Sequence, residues 1–148
     1  MIKRAEIKIS SAIENLDESG LSGGDCEKNE SRHMGYLRTG GGEYSLTYSE
    51  EEDGAKTSSE IKVFSDGRVS VSRSGAIESS FFFEEGATHS SLYKVPPYLF
   101  DCDISAKRVR TSLSESGGEI DLVYTMKIGG AEKSCRMKIW ISTDLSKN

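Results

Sequence analysis

Apolar and polar residues alternate with a period of two along most of this chain. The clearest run, over residues 120–128, places on one parity Ile120, Leu122, Tyr124, Met126 and Ile128. Shorter runs with the same alternation lie at residues 5–9, 44–48, 69–72 and 137–141. Because successive side chains of a strand point to opposite faces, this pattern predicts antiparallel strands with one buried face and one solvated face.

Glycine-containing turns separate these runs. Asp66-Gly67 lies between two of the predicted strands, and Gly129-Gly130 joins the last two. Such dipeptides tolerate the positive φ angles of tight hairpin loops, and consecutive hairpins place neighbouring strands side by side. Closing the sheet removes its exposed edges. The predicted fold is therefore an all-β, antiparallel up-and-down meander closed into a barrel of about eight to ten strands.

The length of 148 residues suits a single domain, and no boundary or repeat divides the chain. Residues 14–31 carry three glycines and show no periodicity, so we expect a long polar surface loop there. The acidic segment 50–53 lacks the alternating ligands of a calcium-binding loop. We expect it to be the solvated tip of a hairpin.

Charge and composition exclude several classes of function. The chain has 19 basic and 24 acidic residues, a formal net charge of −5, which disfavours binding to nucleic acid or to an anionic membrane surface. Residues 1–6 lack the apolar core of a signal peptide, and no apolar run reaches the roughly 20 residues of a membrane-spanning helix. Three irregularly spaced cysteines suit free thiols. We therefore expect a cytoplasmic protein.

Arg73 is the most informative single residue. It shares the parity of Val69 and Val71, so its side chain should point into the barrel, where an unpaired guanidinium is costly. It must meet a carboxylate, an aromatic face, backbone carbonyls or an anionic ligand. One interpretation is a structural arginine that closes one end of the barrel, stacked on Trp140. The others are an anchor for an anion and a bulge near Gly75 that reverses the parity.

The sequence contains no recognisable catalytic or cofactor motif. His89 lies among serines, but the Gly-x-Ser-x-Gly elbow is absent, which favours a local hydrogen-bonding role near the barrel mouth. His33 is expected to be an exposed strand residue. The cysteines and histidines lack the paired spacing of metal ligands, and Cys135 has core parity. We therefore predict no catalytic residues, no metal site and no cofactor.

Two aromatic features bear on partners. Residues 81–83 are three consecutive phenylalanines, which places aromatic rings on both faces of one strand. Trp140 is out of phase with its apolar neighbours and should lie on the outer face. It could be covered by the predicted loop 14–31 or could anchor a homodimer interface.

Several segments, in order along the chain, carry a resemblance to a known family. They are Tyr44-Ser45-Leu46-Thr47-Tyr48, Arg73-Ser74-Gly75, residues 86–93 followed by Pro96, and residues 117–124. From about residue 35 to residue 141 the chain resembles the YwiB-like family, small bacterial proteins of unknown function. The resemblance implies a lipocalin-like (calycin) β-barrel and, by analogy of fold alone, a small hydrophobic or amphipathic ligand. Residues 95–99 depart from the family pattern Thr-Pro-Tyr-Gly, so no role is carried over to Tyr98.

Three functions are compatible with these observations. The favoured one is a barrel that binds a small molecule, with Tyr48 and Tyr124 lining a cavity and Arg73 or His89 holding an anionic or polar group. The second is a solid-cored module that acts through its outer surface. The third is an enzyme that uses His89 and Tyr93 near the barrel mouth. The predicted ligand-binding residues are Arg73, His89, Tyr93, Tyr48 and Tyr124.

Overall fold

The chain folds into one closed, ten-stranded antiparallel barrel. The computed structural model describes residues 1–16 and 22–144, with the backbone alone described for residues 22–25 and 52. The strands are β1 (Ile2–Leu16), β2 (Ser22–Gly40), β3 (Glu43–Glu52), β4 (Ala55–Val63), β5 (Val69–Gly75), β6 (Glu78–Phe83), β7 (Thr88–Val95), β8 (Tyr98–Ser114), β9 (Gly117–Ile128) and β10 (Ala131–Ser142). Each strand pairs with its neighbours in sequence, and β1 pairs with β10 to close the barrel. The predicted all-β meander is confirmed.

The expected loop over residues 14–31 is wrong. β1 continues to Leu16 and β2 begins at Ser22, and the two strands pair from Ile2 opposite Arg38 to Leu16 opposite Ser22. Residues 17–21 lie outside the described residues. From residue 26 to residue 32 the side chains of β2 are exposed on both faces, so no buried face imposes a period of two on this stretch.

The half of the barrel nearest the chain's N-terminus, here called the apolar end, is packed with hydrophobic side chains. Its loops are the β2–β3, β4–β5, β6–β7 and β8–β9 connections. The largest fully buried side chains of the barrel lie mostly in this half: Phe83, Ile7, Leu37, Leu46, Ile61, Ile120, Leu122 and Ile139. Interior packing of this kind leaves little room for a ligand at this end.

The opposite end, here called the polar mouth, carries the β3–β4, β5–β6, β7–β8 and β9–β10 connections. Its interior includes hydroxyl, phenol, imidazole and guanidinium groups, which the next subsection describes. The acidic segment ends at the β3–β4 turn, where Asp53 has a φ of 52° and Gly54 a φ of 80°. The expectation of a hairpin tip there is confirmed.

Two seams of the barrel are only partly paired. β2 and β3 pair from Tyr36 opposite Thr47 toward the apolar end, and their pairing stops at those residues. β6 and β7 pair at Glu78–Lys94 and Ser79–Tyr93. Beyond these positions the regular pairing ends, and ring contacts link the strands instead, His33 to Tyr48 and Phe82 to His89.

Trp140 lies on the outer face, as predicted, and two lysine side chains flank its ring. The ammonium groups of Lys8 and Lys138 lie 5.1 Å and 5.2 Å from the centre of its ring. Because Trp140 faces outward on β10, it does not stack on Arg73, which faces the interior from β5. In the part of the chain that the structure describes, no helix is long and apolar enough to cross a membrane.

Candidate functional site

One interior row of side chains, here called the Arg73 row, crosses five consecutive strands near the polar mouth. Tyr48 pairs with Ser59, Ser59 with Arg73, Arg73 with Ser79, and Ser79 with Tyr93. Cross-strand partners share a face, so all five point into the barrel. The next row toward the apolar end is hydrophobic and consists of Leu46, Ile61, Val71 and Phe81. The Arg73 row is therefore the floor of the polar mouth.

Arg73 faces the interior without a bulge and without an internal partner. β5 keeps its register with β4 as far as Gly75, which excludes the reversed parity. Among the described residues, no carboxylate lies within ion-pair distance of the Arg73 guanidinium and no acceptor hydrogen bonds to it. A charge in this position is costly unless an acceptor reaches it.

The serines on either side of Arg73 are also unsatisfied. Ser59 is 3% exposed and Ser79 is 7% exposed, and the hydroxyl oxygens of both lack a hydrogen-bond partner. The Ser59 hydroxyl lies beside the Tyr48 phenol but not in hydrogen-bonding geometry. Ser91, on β7, has a third such hydroxyl. Buried hydroxyls without partners are rare, because each costs about 1–3 kcal/mol.

The two tyrosines predicted to line a cavity lie on different walls of the barrel, Tyr48 on β3 and Tyr124 on β9. Burial raises the pKa of the Tyr48 phenol, and the Arg73 guanidinium opposes this rise. Burial also raises the pKa of the Tyr124 phenol, and Arg73 opposes that rise too. Because Arg73 points into the interior, its charge lowers the pKa of phenols on both walls.

A pocket of about 350 Å³ opens at the polar mouth beside Arg73. Glu50 and Thr57 are cross-strand partners one row nearer the rim than the Arg73 row, and both line it. Ile77, in the β5–β6 turn, supplies an apolar wall, and Asp53 contributes at the rim. The pocket therefore combines a cation, two carboxylates and an apolar surface.

Tyr93 lies in the Arg73 row, and it begins an aromatic path that leads out of the barrel. Its ring stacks on Phe81 with centroids 5.9 Å apart and lies 6.5 Å from the ring of Phe100. Phe100 in turn stacks on Tyr98 at 6.2 Å. Tyr98 is 64% exposed, so the path runs from the Arg73 row to the solvent.

His89 does not join Arg73, although the sequence suggested that either could hold the same group. It lies in the β6–β7 seam toward the apolar end, where its ring is 5.9 Å from Phe82. Its Nε2 lies 3.0 Å from Oε1 of Glu84. The ring fills a gap where the two strands no longer pair, which supports a local hydrogen-bonding role.

His33 was expected to be exposed, and this expectation is wrong. Its side chain is 12% exposed, because His33 pairs with the inward-facing Ile7 and stacks on the Tyr48 ring at 4.4 Å. Its Nε2 lies 2.9 Å from Ser31 Oγ and 3.9 Å from Glu50 Oε1. A Ser–His–acid triad needs the acid on the other ring nitrogen, so this group is not arranged as one.

An open groove of about 590 Å³ lies outside the barrel. Three consecutive residues from each of four strands line it: 34–36, 47–49, 58–60 and 72–74. The central residue of each triplet points inward, so the groove runs over the outer face of β2–β5. Although residues 72–74 contribute to this groove, it is separate from the interior space that the Arg73 side chain faces.

The cysteines are all free, and within the described residues no cluster of three or more metal-ligating side chains forms. Cys102 and Cys135 are buried, and Cys26 is exposed. Burial raises the pKa of the Cys135 thiol to about 11 and also raises that of Cys102. Thiols with raised pKa values are poor nucleophiles near neutral pH.

Sequence and structural comparisons identify relatives over most of the chain. Residues 7–139 match the family model described as a domain of unknown function, DUF1934. The chain is 32% identical to the uncharacterised β-barrel protein YwiB of Bacillus subtilis (strain 168) over 110 residues, 74% of this chain and 77% of that protein. The crystal structure of the YwiB protein from Bacillus subtilis superposes with a TM-score of 0.81 at 28% identity, covering 95% and 92% of the two chains. The chain therefore belongs to the DUF1934 family of YwiB-like β-barrels, whose function is unknown.

Proposed function

We propose that this protein binds, without catalysis, a small amphipathic ligand that carries an anionic group, and that the ligand sits in the polar mouth. The observation that carries the proposal is the state of Arg73. Its side chain faces the interior with no carboxylate within ion-pair distance among the described residues, and the serines paired with it on both neighbouring strands carry buried hydroxyls without a partner. The guanidinium and both hydroxyls can donate hydrogen bonds to an anion.

An anion would satisfy several of these groups together. A guanidinium binds carboxylate or phosphate oxygens with two parallel hydrogen bonds, and such charge-assisted bonds are the strong ones. The hydroxyls of Ser59 and Ser79 flank Arg73 on the neighbouring strands and can donate to the same anion. The Tyr48 phenol, at the end of the row, adds another donor.

The apolar part of the ligand has a surface of its own. Tyr93 in the Arg73 row and Phe100 nearer the rim form an aromatic path, with Phe81 stacked on Tyr93 from the row below, and Ile77 lines the pocket that Arg73 also lines. Ligand sites typically combine such apolar walls with a few convergent polar groups. The packed apolar end of the barrel would limit how deeply the ligand enters.

Fluorescence titration with 1-anilinonaphthalene-8-sulfonate, an amphipathic aromatic anion, tests the proposal. We expect Arg73→Met to weaken binding about 10- to 150-fold, which corresponds to about 1.5–3 kcal/mol for a charged hydrogen bond. Arg38→Met is the matched control, because Arg38 is exposed on the outer face of β2. Equal affinities for wild type and Arg73→Met, with the same circular dichroism, would contradict the anchoring role.

A second candidate is an interaction module that acts through its outer surface. The outer face of the β7–β8 hairpin exposes large apolar side chains, with Leu92 at 56% and Leu99 at 61%. Contiguous exposed apolar residues are typical of interaction sites. Sedimentation at about 100 µM should then show a homodimer that Leu99→Asp dissociates, whereas a monomeric wild-type protein would count against self-association.

A further inference from the structure

The pocket at the polar mouth holds opposite charges that do not neutralise each other. Arg73 lies on β5 and Glu50 on β3, with β4 between them, so about 10 Å separates their backbones across the sheet. Both side chains face the same pocket, yet they form no ion pair. Each is long enough to reach a ligand placed between them.

Glu50 has only a distant partner among the described residues. Its Oε1 lies 3.9 Å from Nε2 of His33, which is beyond hydrogen-bonding distance, and its side chain is 47% exposed. The rim adds a second carboxylate, that of Asp53. A ligand with only an anionic group would bind Arg73 but would be repelled by Glu50.

A ligand that carries a cationic group near its anionic group would satisfy both walls. We propose, resting on the proposed function, that the ligand is a zwitterion of the α-amino-acid class with an apolar side chain. Its carboxylate would bind Arg73 and the hydroxyls of Ser59 and Ser79, and its ammonium group would bind Glu50. The apolar side chain would lie along the Phe81–Tyr93–Phe100 path.

The buried hydroxyls distinguish this pocket from a chance pair of opposite charges on the surface. Ser59 and Ser79 are both more than nine-tenths buried, and their unpartnered oxygens flank Arg73 in the interior. An isolated acidic patch at the rim would lack such a floor. The floor fixes the position of the carboxylate, and that position decides which wall the adjacent ammonium group meets.

Two probes of equal chain length separate the charges: octanoate and L-2-aminooctanoate. Each is titrated against the wild-type protein by displacement of 1-anilinonaphthalene-8-sulfonate at pH 7. We expect the amino acid to bind at least about fivefold more tightly than octanoate. Glu50→Gln should abolish this preference by weakening amino-acid binding, whereas Glu51→Gln, an exposed outward neighbour on the same strand, should leave it unchanged.

The outcomes separate the zwitterion inference from the proposed anion-binding function. Octanoate that binds as tightly as the amino acid, with affinity lost in Arg73→Met, would overturn the zwitterion and leave the anion site standing. A preference that persists in Glu50→Gln would likewise overturn it. If neither probe binds, or if Arg73→Met leaves both affinities unchanged, the proposed function and this inference fail together.

Discussion

Arg73 on β5 and Ser59 on β4 lie directly opposite each other, with both side chains in the barrel interior and neither satisfied by another part of the described chain. The arrangement is costly for the empty protein, because a guanidinium and a buried hydroxyl both lose hydration. Functional sites often tolerate such a cost, since optimal binding and optimal stability select different residues.

Ser79→Ala should stabilise the ligand-free protein. The Ser79 hydroxyl is buried without a partner, so its removal should raise the free energy of unfolding by about 1 kcal/mol in urea denaturation. Ser80→Ala, at an exposed outward position on the same strand, should change it by less than about 0.5 kcal/mol. A clear destabilisation by Ser79→Ala would reveal a partner for the hydroxyl.

Gly35→Ala should destabilise the β2–β3 seam. A Cβ atom at position 35 would lie 2.0 Å from the backbone oxygen of Thr47, so the strands would have to separate. We expect a loss of about 1–3 kcal/mol in the free energy of unfolding. Gly40→Ala is the control, because a Cβ there meets no atom within 4 Å. Equal stability of the two variants would contradict the close approach.

Thiol labelling with 5,5′-dithiobis(2-nitrobenzoate) should distinguish the three cysteines. Cys26 is exposed and should react quickly in the native protein, whereas the buried Cys102 and Cys135 should react only as the barrel opens. Cys26→Ser should remove the fast phase and leave two thiols that react in denaturant. Fast reaction of a second thiol in native protein would show that the interior admits the reagent.

Stability should fall in alkaline solution. Burial raises the pKa of Cys135 to about 11, and in the unfolded chain a thiol has a pKa near 8.5. Between these values the unfolded state has lost a proton that the folded state keeps, so stability decreases as the pH rises from about 8.5 to 11. Thermal melts in reductant should show this decrease, and Cys135→Ala should make the slope shallower. Identical slopes would contradict this assignment.

The sequence predicted some members of the site and missed others. Arg73 was found because a charged residue on a strand's buried parity is conspicuous, and the registers confirm that it faces inward. Ser59 and Ser79 were missed because serine is mostly exposed in proteins, so a serine at inward parity does not by itself indicate a buried hydroxyl. His33 was misplaced because its interior position depends on pairing with Ile7, and the β2 residues that precede it show no alternation.

The amino-acid sequence alone determined the order of the strands and most of their positions, with the β1–β2 hairpin as the exception. Alternation of period two assigns each residue to a face, and tight turns make sequence neighbours into spatial neighbours, so a meander follows from local information. Only the tertiary structure decided which side chains meet in the barrel interior. Closure and register brought Tyr48, Ser59, Arg73, Ser79 and Tyr93 into one row and moved His89 toward the opposite end. These relationships depend on the pairing of whole strands, which no single stretch of sequence encodes.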